Sequence, residues 1–376
     1  MIKTGVLYPR SSIYPLIGED FLAGIRASVS IAGIQEQVEI LTEPIGFGSN
    51  EKEVYQKTEN LLFEKKVNMV IGFLDLKVTN VVQPLFTATR KKIIVVNPGA
   101  NCPENWLASP GTYFLTLLDS FLCHLTGRDA KKNEPSRAVL AASFYDGGYH
   151  HCHSLVNGFT RTGGSLVFNY ISPQKMKELD LAMLDEFLHN EPGVRTLLCS
   201  FSGEEALLFY ELLGKLPYSS ELELFVSPAM LEEQYLSRMN NKPGYSVTGH
   251  IPWVSTIDNR ENKTFRKTIF ESINREANVF SLLGWECGLV LKELLENKST
   301  DDSGELINNS IKSPRGELKI DPESHYFLGG VYSASLTNNG ITLDDVVPEV
   351  DEKWEDFKKE ENDVSPAGWL NTYLCY

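Results

Sequence analysis

Met69-Val70-Ile71-Gly72 and, after a helical stretch from Val78 to Thr89, Ile93-Ile94-Val95-Val96-Asn97 decide the fold. Both runs are apolar up to their last residue. A strand with one wet face alternates apolar and polar residues. A strand that stays apolar is covered by helices on both faces, which is the condition of a parallel sheet. Right-handed βαβ units follow.

The same alternation extends outward in both directions. Val6 opens a first short strand, and Glu19 to Gly33 reads as a helix with Phe21, Leu22, Ile25, Val29 and Ala32 on one face. Val38-Glu39-Ile40-Leu41 is strand-like. Asn50 with Glu53 forms a capping box for a helix carrying Val54, Leu61 and Leu62. After about residue 119 the pattern restarts. Strands are expected at 138–142, 166–168, 194–201 and 222–226, with helices at 152–161, 175–188 and 204–213. Two such runs, each about one small domain long, point to two parallel sheets rather than one very large one. Beyond residue 250 the chain becomes helical from Asn259 to Glu296 with a break near Ala277. It then returns to strands at 316–320 and 327–336. Trp354, Phe357, Trp369 and Tyr373 stud an acidic tail, so the tail is expected to pack back on the body.

Composition narrows the function classes. The 376 residues suggest two domains, or one bilobed unit, at ~100–200 residues per domain. Apolar residues make up 42% and charged residues 23%, as in a folded globular chain. The net charge of −15 repels phosphate backbones, and Arg90-Lys91-Lys92 is too short to offset it, so nucleic acid is excluded as a partner. No apolar run reaches the ~20 residues of a membrane helix, so no direct membrane insertion is expected. Met1-Ile2-Lys3-Thr4 leads straight into strand-like Gly5-Val6-Leu7-Tyr8 with no export signal. The protein is then periplasmic if this is a processed form and cytoplasmic otherwise. The six cysteines include no CxxC pair and read as buried, inert thiols, which leans toward a reducing compartment.

Chemistry-bearing motifs are few. There is no GxGxxG, P-loop, GxSxG or HExxH string, so neither a catalytic set nor a cofactor is expected. Gly46-Phe47-Gly48-Ser49-Asn50 lacks a basic phosphate clamp. Tyr149-His150-His151-Cys152-His153 holds metal-ligand residue types, but neighbours at a helix start point in different directions. It reads as a helix N-terminus with solvent-exposed imidazoles, and no metal site is expected. Trp285, in an apolar helical string, reads as core.

Several strings, taken in order, resemble the type I periplasmic binding proteins, in the leucine/isoleucine/valine-binding branch. They are Gly5-Val6-Leu7-Tyr8-Pro9-Arg10-Ser11-Ser12 with Gly18-Glu19-Asp20-Phe21-Leu22-Ala23-Gly24, then Val70-Ile71-Gly72, then Val96-Asn97-Pro98-Gly99-Ala100-Asn101-Cys102-Pro103-Glu104, and finally Ser313-Pro314-Arg315-Gly316-Glu317-Leu318-Lys319-Ile320-Asp321-Pro322 followed by His325. The resemblance reaches to about residue 337 and implies two doubly wound α/β lobes with a ligand cleft between them. Residues 1–119 plus 252–328 would form the N-terminal lobe and 120–251 plus 329–376 the C-terminal lobe, with crossovers near 118–121, 248–254 and 326–331. The ligand would lie outside the carboxyl ends of the strands.

By resemblance, Tyr14 and Ile17 belong to the ligand-binding set in the first loop and helix. Asp75, Leu76, Gly99, Ala100 and Asn101 come from the two N-lobe loops that hold a ligand carboxylate in the family. Tyr145, Tyr149 and Phe201 supply aromatic cover. Leu76 stands where the family has a hydroxyl residue, and Ala229 stands where the family has the acid that pairs with an α-amino group. An ammonium buried without a counter-charge is costly. A small, less charged or differently charged solute is therefore expected, rather than a standard α-amino acid. The implied function is a solute-binding receptor that closes by hinge motion and delivers to the membrane permease of an ABC-type uptake system. The alternative is a cytoplasmic ligand-sensing regulator of the same fold.

Overall fold

The computed structural model describes residues 1–130, 136–239, 243–296, 310–361 and 373. Trp369, Cys375 and the polar segment at 299–304 lie outside the described residues. The first sheet comprises β1 (Ile2–Tyr8), β2 (Val38–Pro44), β3 (Met69–Phe73), β4 (Lys92–Asn97) and β5 (Thr112–Thr116), in the order β2-β1-β3-β4-β5. Every pair in it is parallel. Helices α1 (Ile17–Ile31), α2 (Glu51–Glu59) and α3 (Leu76–Thr89) make the crossovers β1–β2, β2–β3 and β3–β4. Val70, Ile71 and residues 93–96 are wholly buried, as their unbroken apolar run requires.

The second sheet follows α4 (Asp119–Asp129). It alternates β6 (Arg137–Ala142), α5 (His150–Arg161), β7 (Ser165–Ile171), α6 (Ala182–Asn190), β8 (Thr196–Ser200), α7 (Gly203–Leu213), β9 (Glu223–Val226), a single turn α8 (Glu233–Leu236) and β10 (Ser246–Ile251). The chain returns to the first sheet through α9 (Arg260–Ile273) and α10 (Val279–Glu296). A three-stranded ribbon follows, formed by β11 (Ile311–Ser313), β12 (Gly316–Ile320) and β13 (Phe327–Leu328). Strands β14 (Tyr332–Thr337) and β15 (Gly340–Val346) then add antiparallel to the second sheet, whose order is β15-β14-β10-β9-β8-β6-β7.

The chain therefore passes between the two sheets at Leu117-Leu118, after Ile251, and at 329–331. The second passage follows Ile251, because β10 pairs with β9 up to Gly249 and with β14 up to Ile251. Leu118 takes a left-handed conformation, φ 63°, at the first passage. Helix α6 starts at Ala182, not at Lys175, because the Asp180 carboxylate accepts the Ala182 N–H and starts the helix there.

Each sheet is flanked by a helix pair in which backbone touches backbone. A Cβ added at Gly24 on α1 would lie 2.1 Å from Ser281 O, and one at Gly284 on α10 would lie 2.0 Å from Phe21 O. On the other flank, a Cβ at Gly127 of α4 would lie 2.0 Å from Leu155 O, and one at Gly158 of α5 would lie 2.1 Å from His124 O. Only glycine permits such approach.

The tail packs on the body as its aromatic content requires. Helix α11 (Val350–Glu360) buries Trp354 and Phe357 among Trp106, Phe121 and Tyr326. The Trp354 indole and the Lys358 ammonium both donate to Asp321, at 3.2 and 3.0 Å. Tyr373 is buried too, at 2% exposure. Trp285 is core, at 3% exposure. Among the described cysteines all five are free and buried, and burial raises the thiol pKa of each.

Candidate functional site: the seam between the two sheets

The parallel strands of both sheets point their carboxyl ends at one seam. Ligands of open α/β sheets bind in this position. The loop after β1 supplies Ser11, whose hydroxyl accepts the N–H groups of Ile13 and Tyr14 and so shapes the turn into α1. Tyr14 and Ile17 are each 1% exposed. The Tyr14 ring meets Tyr235 at 5.3 Å and Phe280 at 4.9 Å, both edge-on.

The loops after β3 and β4 are tied to each other. Asp75 is the N-cap of α3, accepts the Lys77 N–H, and accepts the Asn101 side-chain amide at 3.0 Å. Leu76 opens the helix. Gly99 has φ +80°, and a Cβ there would lie 2.9 Å from Leu118 N, so glycine is required where this loop crosses the first passage.

From the second sheet, the N-terminus of α5 reaches across the seam. The Cys102 N–H donates to His150 Nδ1 at 2.8 Å, and the His151 N–H donates to Ala100 O at 2.8 Å. The Tyr235 hydroxyl donates to Ile13 O at 2.6 Å from the other end of the seam. These bonds link the two sides of the seam. They also overturn the expectation of exposed imidazoles. His150 and His151 are 7% and 1% exposed, and burial depresses the His151 pKa to about 3, so its ring is neutral. His153 alone of the three stays exposed. Among the described residues no group of His, Cys, Asp or Glu could hold a metal ion.

The structure thus brings Tyr14, Ile17, Gly99, Ala100, Asn101, Asp75 and Leu76 to the N-terminal side of the seam, and Tyr149 and Ala229 to the other. Tyr149 is buried and tilted against His151, with ring centres 5.8 Å apart. Tyr145 is part-exposed, edge-on to Phe144. Phe201 is not gathered with them. It stacks on Phe209 at 4.1 Å inside the core of the second sheet.

Ala229 does not leave the seam without an acid. Three residues on, Glu232 borders the same cavity as Asp119 and Tyr373, and burial pushes its pKa up to about 8. Asp119, 1% exposed at the start of α4, is pushed up to about 7 by burial. Asp146 is pushed up to about 6 by burial, partly offset by bonds from the Ser143 and Ser202 hydroxyls at 2.5 and 2.7 Å. No Lys or Arg pairs with these three among the described residues. Asp119 Oδ1 and Ser227 Oγ are buried without a partner there. Asp119, Glu232, Leu117, Trp253, Val279 and Tyr373 border a partly open cavity of about 40 Å³, room for a few waters.

Sequence reasoning missed Asp119, Asp146 and Glu232 because lone acids carry no motif. The aromatic tail was the one signal for Tyr373.

Two sheets with facing strand ends, joined by three chain passages around a buried polar seam, define a bilobed solute-binding architecture. The periplasmic binding protein family matches residues 1–340, and the chain belongs to it. A Leu/Ile/Val-binding protein homologue from Brucella suis is 22% identical over 357 residues, covering 88% of this chain and 86% of the relative. An ABC transporter substrate-binding protein from Sphaerobacter thermophilus superposes with TM-score 0.77 at 17% identity, over 93% of this chain and 98% of that one. A Rhodopseudomonas palustris solute-binding protein in complex with benzoate gives 0.72 at 18% identity, over 92% and 96%. The leucine-binding LivK of Thermotoga maritima gives 0.69 at 15% identity, over 93% and 100%. These relatives are solute-binding proteins, not enzymes. No described helix is long and apolar enough to cross a membrane.

Proposed function

We propose that the chain is the solute-binding receptor of an ABC-type uptake system, closing by hinge motion on a small molecule. The observation that carries this is the seam itself, where backbone donors and acceptors of one sheet's loops meet side chains of the other's. Contacts available only when the halves meet shift the population toward the closed form. Residues 1–119 plus 252–328 act as one lobe and 120–251 plus 329–376 as the other. The solute lies among Tyr14, Ala100, Asn101, Tyr149, Ala229 and Glu232. A membrane permease reads the closed form from outer patches on both lobes, and export to the periplasm is the localisation this role needs. A cytoplasmic sensor of the same fold would share the seam. The buried cysteines do not decide between the two, because inert thiols survive in either compartment.

The test is a thermal-shift and native mass-spectrometry screen against amino acids, amides, urea-like solutes and aromatic compounds. The neighbours bound to benzoate and 4-hydroxybenzoate support including the last group. A ligand held at 100 times its Kd raises stability by ~2.7 kcal/mol. Small-angle scattering should then show compaction on binding. A chain that binds nothing in the screen and keeps one shape throughout refutes the receptor reading.

A further inference from the structure

We infer that Tyr373 occupies the solute's own place in the seam, and that the seam is shaped for an aromatic molecule whose polar end is a hydrogen-bond donor or a cation. This rests on the receptor reading and narrows it.

Tyr373 lies beyond the residues the family match covers, 1–340. Its ring packs edge-on against Tyr14 at 5.1 Å and Phe280 at 6.1 Å. Its hydroxyl donates to Asp119 Oδ2 at 2.9 Å, and its carbonyl accepts the Ser11 hydroxyl. It therefore uses an aromatic wall, a buried carboxylate and the first loop together. It does so on the border of a partly open cavity, beside Asp119 and Glu232.

The partners decide what can replace it. Asp119 Oδ1 remains buried with no partner, so a group with more than one N–H or O–H can use both carboxylate oxygens where the Tyr373 hydroxyl uses one. Glu232 and Asp146 add acid at the same place, and no described Lys or Arg balances them. An ammonium on an aromatic frame gains a charge-assisted bond there. An aromatic carboxylate would add one more acid to this cluster and meets no described Lys or Arg there to balance it. Any such solute competes with Tyr373, so its apparent affinity is reduced by the fraction of molecules whose seam is free.

The experiment is calorimetry with tyramine, phenol and benzoate on the full chain, on Tyr373→Ala and on Tyr373→Phe, with circular dichroism to verify folding. Tyramine should bind all three, tightening about ten-fold in Tyr373→Ala if the tyrosine holds the seam ~90% of the time. Tyr373→Phe keeps the ring and loses the Asp119 bond, so it should fall between. Phenol should follow tyramine more weakly, and benzoate should not bind. Equal tyramine affinity in folded Tyr373→Ala and the full chain overturns the inference, as does absence of tyramine binding to both, or tighter benzoate than tyramine. If leucine or benzoate instead binds and compacts the chain in scattering, the receptor reading stands and this inference alone fails.

Discussion

Replacing Glu286 with leucine tests how the third chain passage is anchored. Glu286 on α10 and Arg315 in the β11–β12 turn are both fully buried. The guanidinium makes two 2.8 Å bonds to the carboxylate, and Ser313 Oγ adds a third at 2.5 Å. The Arg315 carbonyl in turn accepts the Tyr332 hydroxyl and the Gly330 N–H, so the pair fixes the 329–331 passage to the first sheet's flank. Glu286→Leu strands a buried guanidinium, and losing one partner of such a pair costs about 3–5 kcal/mol. At about 1.3 °C per kcal/mol for a chain of 376 residues, the melting temperature should fall by roughly 4–6 °C. The double variant Glu286→Leu/Arg315→Met removes both charges and should recover most of the loss. Urea and thermal unfolding of the four proteins in the cycle measure this. A single-variant loss below about 1 kcal/mol, or a double variant no better than the single, refutes the reasoning.

Tyr235→Phe removes the bond to Ile13 O while keeping the ring contact with Tyr14, so closure should lose about 0.5–1.5 kcal/mol, seen as a larger radius of gyration in scattering. Stability should also depend on pH. Asp119, Glu232 and Asp146 have raised pKa values of about 7, 8 and 6, and they face Tyr373, Tyr14 and one another. The folded state therefore holds their protons when the unfolded state has released them. Their contribution is complete below about pH 4 and lost as pH rises through 6–8. Melting at pH 8.5 should thus lie below melting at pH 6, and Asp119→Asn should flatten that difference; an unchanged slope contradicts the assignment. Gly158→Ala should destabilise by about 1–3 kcal/mol by forcing α5 off α4, measured by urea unfolding, whereas Gly193→Ala, which meets open space, should not.

The runs at 69–72 and 93–97 were enough to read a parallel, doubly covered sheet, because burial on both faces leaves no choice of residue type. Strands β5, β10 and β15 were harder. Thr112, Thr116, Ser246 and Thr248 break the apolar run, and β15 is an antiparallel edge whose exposed residues, Asp344 and Asp345 among them, carry no strand signal. The histidines at 150 and 151 looked exposed because a helix N-terminus ordinarily is. Only the long-range approach of the 100–102 loop buries them. Asp119 and Tyr373 are separated by 254 positions, and nothing local to either announces the other.

The glycine contacts between α1 and α10, and between α4 and α5, bear on how a signal would leave the seam. Carbonyl pressed onto Cα leaves no slack for sliding, so each pair travels as a riveted plate. Helices α1 and α5 both begin at the seam, next to Tyr14 and at His150. A displacement of either helix's first turn would therefore carry its partner helix with it toward the outer surface.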